Sequence, residues 1–277
     1  NTAVTRGTRS STNPSTNKPV GVVTRGTTNP NRLRRVDRWI AYAVAADLRA
    51  AEDPLLVDLG YGAHAWTARD LRDVLRRVRP DVHLVGIEID PERVAAAQAS
   101  SDDTLSFIRG GFEVPTPNRP ILIRAFNVLR QYQEEEVAPA WRTMAARLAP
   151  NGWLVEGTCD ELGRHAWWVA VRSGEIQPRT LTLSTRLAGF DRPSELAERL
   201  PKALIHHNVP GERVHEFLTQ LDSAWAAAAP YSTFSARQRW IVAMESLRAN
   251  GVPVHHGPQR WKLGEVTVPW ELVSPGS

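Results

Sequence analysis

Two glycines and two carboxylates lie close together in the segment LLVDLGYGAHAWTARDLRDVLRRVRPDVHLVGIEID, residues 55–90. Gly60 and Gly62 directly follow a short apolar run, and glycine lets a backbone turn sharply and approach a bound molecule closely. The free amide groups at the start of the next helix favour an anionic group. Asp58 precedes the first glycine by two residues, and Glu88 stands near the end of the next apolar run. The segment therefore predicts a binding site for a nucleotide-like cofactor at a turn between a strand and a helix.

Two cofactors fit this turn. Gly60, Gly62 and Ala65 satisfy the G-x-G-x-x-G/A pattern of dinucleotide-binding turns, with Glu88 placed to hold a ribose, so an NAD-dependent oxidoreductase is admissible. A carboxylate at Asp58 would repel a pyrophosphate, however. The same carboxylate could receive the ammonium of an amino-acid-like ligand, directly or through water. Asp58 therefore favours a cofactor with an amino-acid moiety over a dinucleotide.

The residues around this turn alternate between strand-like and helix-like patterns, which predicts a mainly parallel sheet covered by helices on both faces. Apolar residues at helical spacing predict a first helix within residues 31–50. Short apolar runs predict five strands, at residues 55–59, 83–89, 105–109, 121–126 and 153–156. The alternation then stops, and two strands joined by a turn predict an antiparallel ending, at residues 165–171 and 180–187. Apolar stripes beyond them predict helices, and residues 259–273 are expected to form a strand or an extended cover over the core.

The motifs in this region resemble those of the class I S-adenosylmethionine-dependent methyltransferases. VDLGYG at residues 57–62 resembles the glycine motif of that family, and GIEIDPERV at residues 86–94 resembles its second strand. ILIRAFNVL at 121–129 and GWLVEGT at 152–158 resemble the fourth and fifth strands. The resemblance covers about residues 31–187 and includes the antiparallel ending.

This resemblance implies an α/β fold with a seven-stranded Rossmann-like sheet of order 3-2-1-4-5-7-6 and a helical C-terminal addition. It implies S-adenosylmethionine as the cofactor, lying across the carboxyl ends of strands one, two and four. Carried onto this sequence, the resemblance assigns the methionine moiety to Asp58, Gly60 and Gly62. It assigns the ribose to Glu88 and the adenine to Ile89.

Two positions depart from the pattern of that family. His64 stands where a third glycine is common, which predicts either a tighter turn or a side chain that faces the ligand. Gly110, Gly111, Phe112 and Glu113 stand where many members place an aspartate near the adenine amine, so Phe112 is expected to stack or a backbone group to substitute.

Two polar residues of the fourth predicted strand have alternative roles. Asn127, just past the strand, either forms a hydrogen bond to the donor or the acceptor, or caps the strand end. Arg124 interrupts an apolar strand and either binds substrate or pairs with a buried acid.

The N-terminal segment is strongly basic. Residues 1–38 contain eight Lys or Arg and one acid, whereas the remainder has 26 basic and 29 acidic residues. Such an arm can attract nucleic-acid phosphates or an anionic membrane surface, or it can remain a solvated, disordered extension. The phrase VTRGT occurs at residues 4–8 and again at 23–27, where it runs into the first helix. In the second copy, Arg25 is predicted either to pair with the methionine carboxylate or an anionic substrate, or to belong to a surface linker.

These patterns divide the chain into four parts. Residues 1–22 are expected to form a flexible basic arm, and residues 23–50 an N-terminal segment with the first helix. Residues 51–190 are expected to form the cofactor-binding core, and residues 191–277 a helical, Trp-rich cover. Most of the ten tryptophans are expected to serve packing.

Several functional classes find no support in the sequence. The single cysteine, Cys159, excludes an intrachain disulfide and a cysteine-based zinc site, which fits a cytoplasmic location. No apolar run is long enough to predict a membrane span or a signal peptide. Phosphate-loop and nucleophile-elbow motifs are absent, and no metal site is predicted.

The function expected from the resemblance is S-adenosylmethionine-dependent methyl transfer, with a slight preference for a small-molecule acceptor. An RNA-directed enzyme that uses the basic arm is the first alternative. Two further alternatives, a non-catalytic binding protein and an NAD-dependent oxidoreductase, would use the same glycine turn. The acceptor, a catalytic base and the oligomeric state are not defined by the sequence.

Overall fold

A computed structural model of the chain describes residues 18–276. Its centre is one mixed sheet of eight strands in the order β3-β2-β1-β4-β5-β6-β7-β8. The strands are β1 (Leu55–Leu59), β2 (His83–Glu88), β3 (Leu105–Arg109), β4 (Leu122–Phe126), β5 (Trp153–Cys159), β6 (His165–Arg172), β7 (Thr180–Thr185) and β8 (Glu265–Pro269). The helices are α1 (Arg34–Ala43), α2 (Ala45–Ala50), α3 (Trp66–Leu75), α4 (Pro91–Ala97), α5 (Glu134–Ala145), α6 (Lys202–Ile205), α7 (Arg213–Ala227), α8 (Ala236–Ala249) and α9 (Pro258–Trp261).

Strands β1 to β5 form the parallel half of the sheet, in the predicted order 3-2-1-4-5. Val57 of β1 aligns with Val85 of β2 on one side and with Ile123 of β4 on the other. Every residue of β1 and β4 is buried, as expected for parallel strands covered on both faces. The carboxyl ends of β1, β2, β4 and β5 therefore meet at a single edge.

The predicted order 3-2-1-4-5-7-6 is wrong beyond β5. β6 pairs antiparallel with β5, β7 pairs antiparallel with β6, and an eighth strand, β8, pairs antiparallel with β7. The reason is the length of the connections, because residues 160–164 and 173–179 are too few for the crossover that parallel neighbours need. Residues 265–269 complete the sheet, within the segment expected to form a strand or an extended cover, so the C-terminal region is more than a helical cover.

Helices cover both faces of the sheet, which confirms the predicted α/β class. Helices α1 to α4 pack on one face, and helices α5, α7 and α8 pack on the other. Successive side chains of β6 point to opposite faces of the sheet and pack in the hydrophobic cores on both faces. Trp167 points to the α7 side and Trp168 to the α1 side. Trp168 packs edge-on against Trp39 of α1, with ring centroids 5.5 Å apart.

The N-terminal predictions are met only in part. Residues 1–17 of the predicted flexible arm lie outside the described residues. Residues 18–33 carry no helix or strand and lead into α1, and the single helix expected within residues 31–50 is two helices that meet at Val44. Within residues 18–276, none of the helices has the length and apolar character that a membrane crossing requires.

Candidate functional site

A cavity of about 560 Å³ opens at the carboxyl edge of the parallel strands. The sheet contributes Asp58 at the end of β1, and Asn127 and Cys159 at the ends of β4 and β5. The turn after β1 contributes Gly60 and Gly62. The other side is formed by residues 24–28, including the predicted Arg25. Five of the eight predicted cofactor residues therefore line one cavity.

The β1–α3 turn needs glycine at both predicted positions. Gly60 and Gly62 have φ values of 72° and 87°, in the left-handed region that side chains disfavour. A Cβ on Gly62 would lie 2.7 Å from the carbonyl oxygen of Gly26, and a Cβ on Gly60 would overlap the side chain of Val128. The turn is thus shaped by close approach of residues 24–28 as well as by its own backbone.

Glu88 connects this turn to the end of β2. Its side chain is 2% exposed, and its Oε2 accepts a hydrogen bond from the Gly62 amide at 3.1 Å. Its Oε1 accepts from the Ile89 amide at 2.9 Å, and Arg93 Nη1 lies 3.6 Å from Oε2. A buried carboxylate is therefore fixed at the carboxyl edge of β2, and each of its oxygens accepts a hydrogen bond from the backbone.

Asp58 belongs to a buried ionic cluster, which we call the Arg124 cluster. Arg124 is fully buried and donates from Nε to Asp58 Oδ1 at 3.0 Å, and its Nη2 lies 2.7 Å from Oδ2. Thr67 Oγ1 also donates to Asp58 Oδ2, at 2.8 Å. Arg124 pairs in addition with the buried Asp37 of α1. Both oxygens of Asp58 are therefore already hydrogen-bonded within the protein. Of the two roles predicted for Arg124, the structure shows pairing with buried acids.

The electrostatics of the Arg124 cluster are unbalanced. Burial raises the pKa of Asp37, an effect that Arg124 opposes, and one oxygen of Asp37 has no hydrogen-bond partner among the described residues. Burial alone would lower the pKa of Arg124, but the two carboxylates raise it above the usual range. Two acids thus share one guanidinium, and of these three groups only Asp58 lines the cavity, whose other charged residues are Glu161 and four arginines.

Asn127 and Cys159 hold the ends of two neighbouring strands together. The Asn127 side chain accepts from the Cys159 amide at 2.9 Å and donates to its sulfur at 3.3 Å. This is the strand-end role predicted as one alternative for Asn127, and it leaves the residue on the cavity wall. Burial raises the pKa of the Cys159 thiol, so the thiol is a poor nucleophile.

A segment before α1 crosses the site, and we call residues 20–28 the strap. The Gly26 carbonyl accepts from the Ala63 amide at 2.9 Å, and the Thr24 carbonyl accepts from Arg93 Nη2 at 2.8 Å. The Arg25 amide donates to Gln131 Oε1 at 3.1 Å, while the Arg25 side chain is exposed along the cavity wall. The second VTRGT copy is therefore part of the site wall.

The other predicted residues line a separate slot that the strap fills. Glu88, Ile89 and Phe112 surround a remaining space of only about 20 Å³. The Val20 carbonyl accepts from the Phe112 amide at 2.9 Å, and the Val22 amide donates to the Tyr132 hydroxyl at 2.6 Å. Phe112 packs against Tyr132, with ring centroids 5.2 Å apart. The strap thus occupies the place that the sequence predicts for adenine.

Sequence reasoning missed several residues of the site. Tyr132 binds the strap and stands in the loop after β4, a position at which an aromatic residue is a usable signal because such loops meet ligands. Thr67, Arg32, Arg130 and Arg199 also line the large cavity. His64 is exposed and stacks on Trp66, with centroids 4.1 Å apart, so it faces away from the cavity. Among residues 18–276, no group of three or more His, Cys, Asp or Glu side chains is arranged to hold a metal ion.

Comparison with known proteins yields structural likeness alone. No protein-family model matches the chain, and no curated protein sequence matches it. The chain is similar to solved methyltransferase structures, including the methyltransferase domain of a citrinin polyketide synthase, at 18% identity over 39% of this chain and 30% of that one, with a TM-score of 0.33. The N-methyltransferase NodS from Bradyrhizobium japonicum matches at 18% identity over 46% and 67% of the chains, with a TM-score of 0.33.

A third similar structure is an S-adenosylmethionine-bound amino pentose methyltransferase from Micromonospora echinaspora, involved in calicheamicin biosynthesis. It matches at 20% identity over 58% of this chain and 70% of that one, with a TM-score of 0.33. The chain spans less than one third of the polyketide synthase domain. With TM-scores below 0.5, these likenesses do not define a function, which depends on the chain's own site.

Proposed function

We propose that the chain is an S-adenosylmethionine-dependent methyltransferase. The observation that carries this proposal is the joint placement of the Gly60–Gly62 turn, the acidic base of the cavity at Asp58 and the buried Glu88 at one sheet edge. A sulfonium donor is cationic at its reacting centre and at its ammonium, which suits this acidic base.

The proposed donor binding divides among the residues of the site. The methionine moiety lies along Gly60 and Gly62, and its ammonium reaches Asp58 through water, since both carboxylate oxygens already accept hydrogen bonds. Glu88 accepts from the ribose hydroxyls, and Ile89 and Phe112 flank the adenine. The donor can occupy this slot only when residues 20–22 of the strap move away from Phe112 and Tyr132.

The bound donor supplies an activated methyl group on sulfur, and the protein has to align an acceptor with it. Such alignment accounts for much of the rate, because the leaving group is already good. Asn127, Arg130 and Arg199 line the part of the cavity beyond the glycine turn and are the candidate contacts of the acceptor. No side chain is assigned as a catalytic base.

We propose a small-molecule acceptor. The strap forms one wall of the cavity, whose volume of about 560 Å³ is the size of a small-ligand pocket. The alternative of an RNA acceptor rests on the eight cations of residues 1–38. Transfer of a labelled methyl group to fractionated cell extract separates the two, because the label enters either the small-molecule or the RNA fraction. Donor binding without transfer to any fraction would instead support a non-catalytic binding protein.

Calorimetry with S-adenosylmethionine and with NAD tests the donor assignment. We expect the wild type to bind S-adenosylmethionine and Glu88→Ala to bind it roughly 10-fold to 100-fold more weakly, since hydrogen bonds to a buried carboxylate are lost. The control is Glu92→Ala, an exposed residue of the neighbouring helix α4, which should bind like the wild type. Binding of NAD in place of S-adenosylmethionine would overturn the proposal.

A further inference from the structure

A second cavity, of about 500 Å³, lies beside the first at the same edge of the sheet. Since β7 runs parallel to β5 with β6 between them, β7 ends at the edge where the parallel strands end. Helix α1 separates the two cavities, with Leu33 before it lining the first and Arg35 and Arg38 lining the second. We call this second space the cationic cavity.

Five basic side chains from four parts of the fold converge on the cationic cavity: Arg35, Arg38, Arg186, Arg237 and Lys262. None of these five forms a salt bridge with a carboxylate of the described part of the chain. The single acid of the lining, Glu265, is held by Arg260 through bonds of 2.7 and 2.6 Å. The lining therefore carries five cations and one carboxylate, and that carboxylate already forms a salt bridge with Arg260.

Arg35 shows the cost of this arrangement. Its Nη1 donates to the Leu263 carbonyl at 3.2 Å and lies 3.5 Å from Ser184 Oγ, while its Nε is buried without a hydrogen-bond partner among the described residues. Burial, together with the neighbouring Arg34 and Arg38, lowers the pKa of the Arg35 guanidinium. A buried donor and crowded cations are destabilising unless an anion joins them.

Two more features of the lining suit an anion. Helix α8 begins at the cavity, with Ser235 as its cap and Ala236 and Arg237 in its first turn, and helix N-termini attract negative charge. Arginine forks bind phosphate oxygens through paired hydrogen bonds, and four of the five cations are arginines. The five cations line one open concavity between α1, the end of β7 and the start of α8, and four of them are exposed to solvent.

We propose that the cationic cavity binds a small molecule that carries a phosphate or diphosphate group. The proposal does not depend on methyl transfer, because none of the five cations lines the first cavity. It depends on the convergence of five cations, a buried unpartnered donor and a concave space of matching size.

Calorimetry with inorganic pyrophosphate at low salt tests this site on the full chain. We expect the double variant Arg237→Ala/Lys262→Ala, in which both replaced side chains are exposed, to bind pyrophosphate at least about 10-fold more weakly than the wild type. Arg35→Lys keeps the charge but loses the planar fork, and it should weaken binding as well. The matched control is Arg142→Ala on the exposed face of α5, which should leave the affinity unchanged.

Three results would overturn the proposal. The first is no measurable binding of pyrophosphate by the folded wild type, and the second is equal affinity of the double variant and the wild type. The third is tight binding of a single-stranded RNA oligonucleotide that pyrophosphate cannot displace, because this would assign the cations to a nucleic-acid surface. Circular dichroism spectra of all variants establish that a loss of binding is not a loss of fold.

Discussion

At the scale of single residues, Arg124 determines what Asp58 can do. A glycine motif preceded by an acid suggests a carboxylate that is free for the ligand, yet here the carboxylate is bound by Arg124 and by Thr67. Both oxygens of Asp58 therefore already have partners within the protein, and the residue is a wall of the cavity without a free carboxylate for a direct ion pair. The same guanidinium ties helix α1 to the sheet through Asp37.

Replacement of Arg124 by methionine is expected to destabilise the protein by about 3 to 5 kcal/mol, because two buried carboxylates lose their shared cation. Urea unfolding measures the change, and Arg109→Met, at an exposed position of β3, is the control. The double variant Asp37→Asn/Arg124→Met should recover part of the loss, since one of the two charges is removed. A loss below about 1 kcal/mol in the single variant would contradict the assigned role of the Arg124 cluster.

At the scale of elements, the strap is the part of the site with the fewest sequence signals. The strap has no helical or strand periodicity, and its contacts with Phe112 and Tyr132 span about 90 to 110 positions along the chain. Its docking therefore depends on a surface that exists only after the sheet has formed. The repeated VTRGT phrase identified the segment, but no local pattern indicates that Val20 fills a slot near β2.

The strap predicts a contrast between two N-terminal deletions. Removal of residues 1–22 should open the slot beside Phe112 and strengthen the binding of S-adenosylhomocysteine about tenfold. The reason is that residues 20–22 no longer fill the slot that adenine would occupy. Removal of residues 1–17 leaves the strap in place and should leave the affinity as it is. Calorimetry compares the two proteins, and weaker binding after the longer deletion would make the strap a required part of the donor site.

Most of the elements could be predicted from the sequence because they depend on local periodicity. The apolar runs gave the positions of the strands, and β3 has the predicted bounds. The pairing of β7 with β8 could not be predicted in the same way, since it joins segments that are distant in sequence and either edge of a sheet can accept a strand. The acids that pair with Arg124 could not be named for a related reason, because Asp58 and Asp37 lie 66 and 87 positions from it.

At the scale of the whole molecule, buried acids link stability to pH. Glu156 lies in the core of β5, where burial raises its pKa to about 7 although Trp141 donates a hydrogen bond to it at 3.2 Å. An acid whose pKa is higher in the folded state binds its proton more tightly there. Its stabilising contribution is therefore present below the unfolded pKa of 4.5 and is lost as the pH rises to about 7.

Glu156→Gln should remove this part of the pH dependence. Between pH 5 and pH 8 the titration of Glu156 should lower the free energy of unfolding of the wild type by roughly 2 to 3 kcal/mol, and the variant should lack this decrease. Urea unfolding at the two pH values gives both differences. The exposed Glu135→Gln on α5 is the control and should follow the wild type. An unchanged slope in Glu156→Gln would mean that the residue is ionised in the folded core.

The meander of β5, β6 and β7 has a consequence for how the chain is made. Its strands are joined by short loops, so their pairing needs little loop closure and can form early. The strand that covers the outer side of β7 comes much later, after the whole stretch between Thr185 and Glu265. During synthesis on the ribosome, β7 therefore presents an open edge to other chains until residues 265–269 emerge, which makes this edge a site at risk of aggregation.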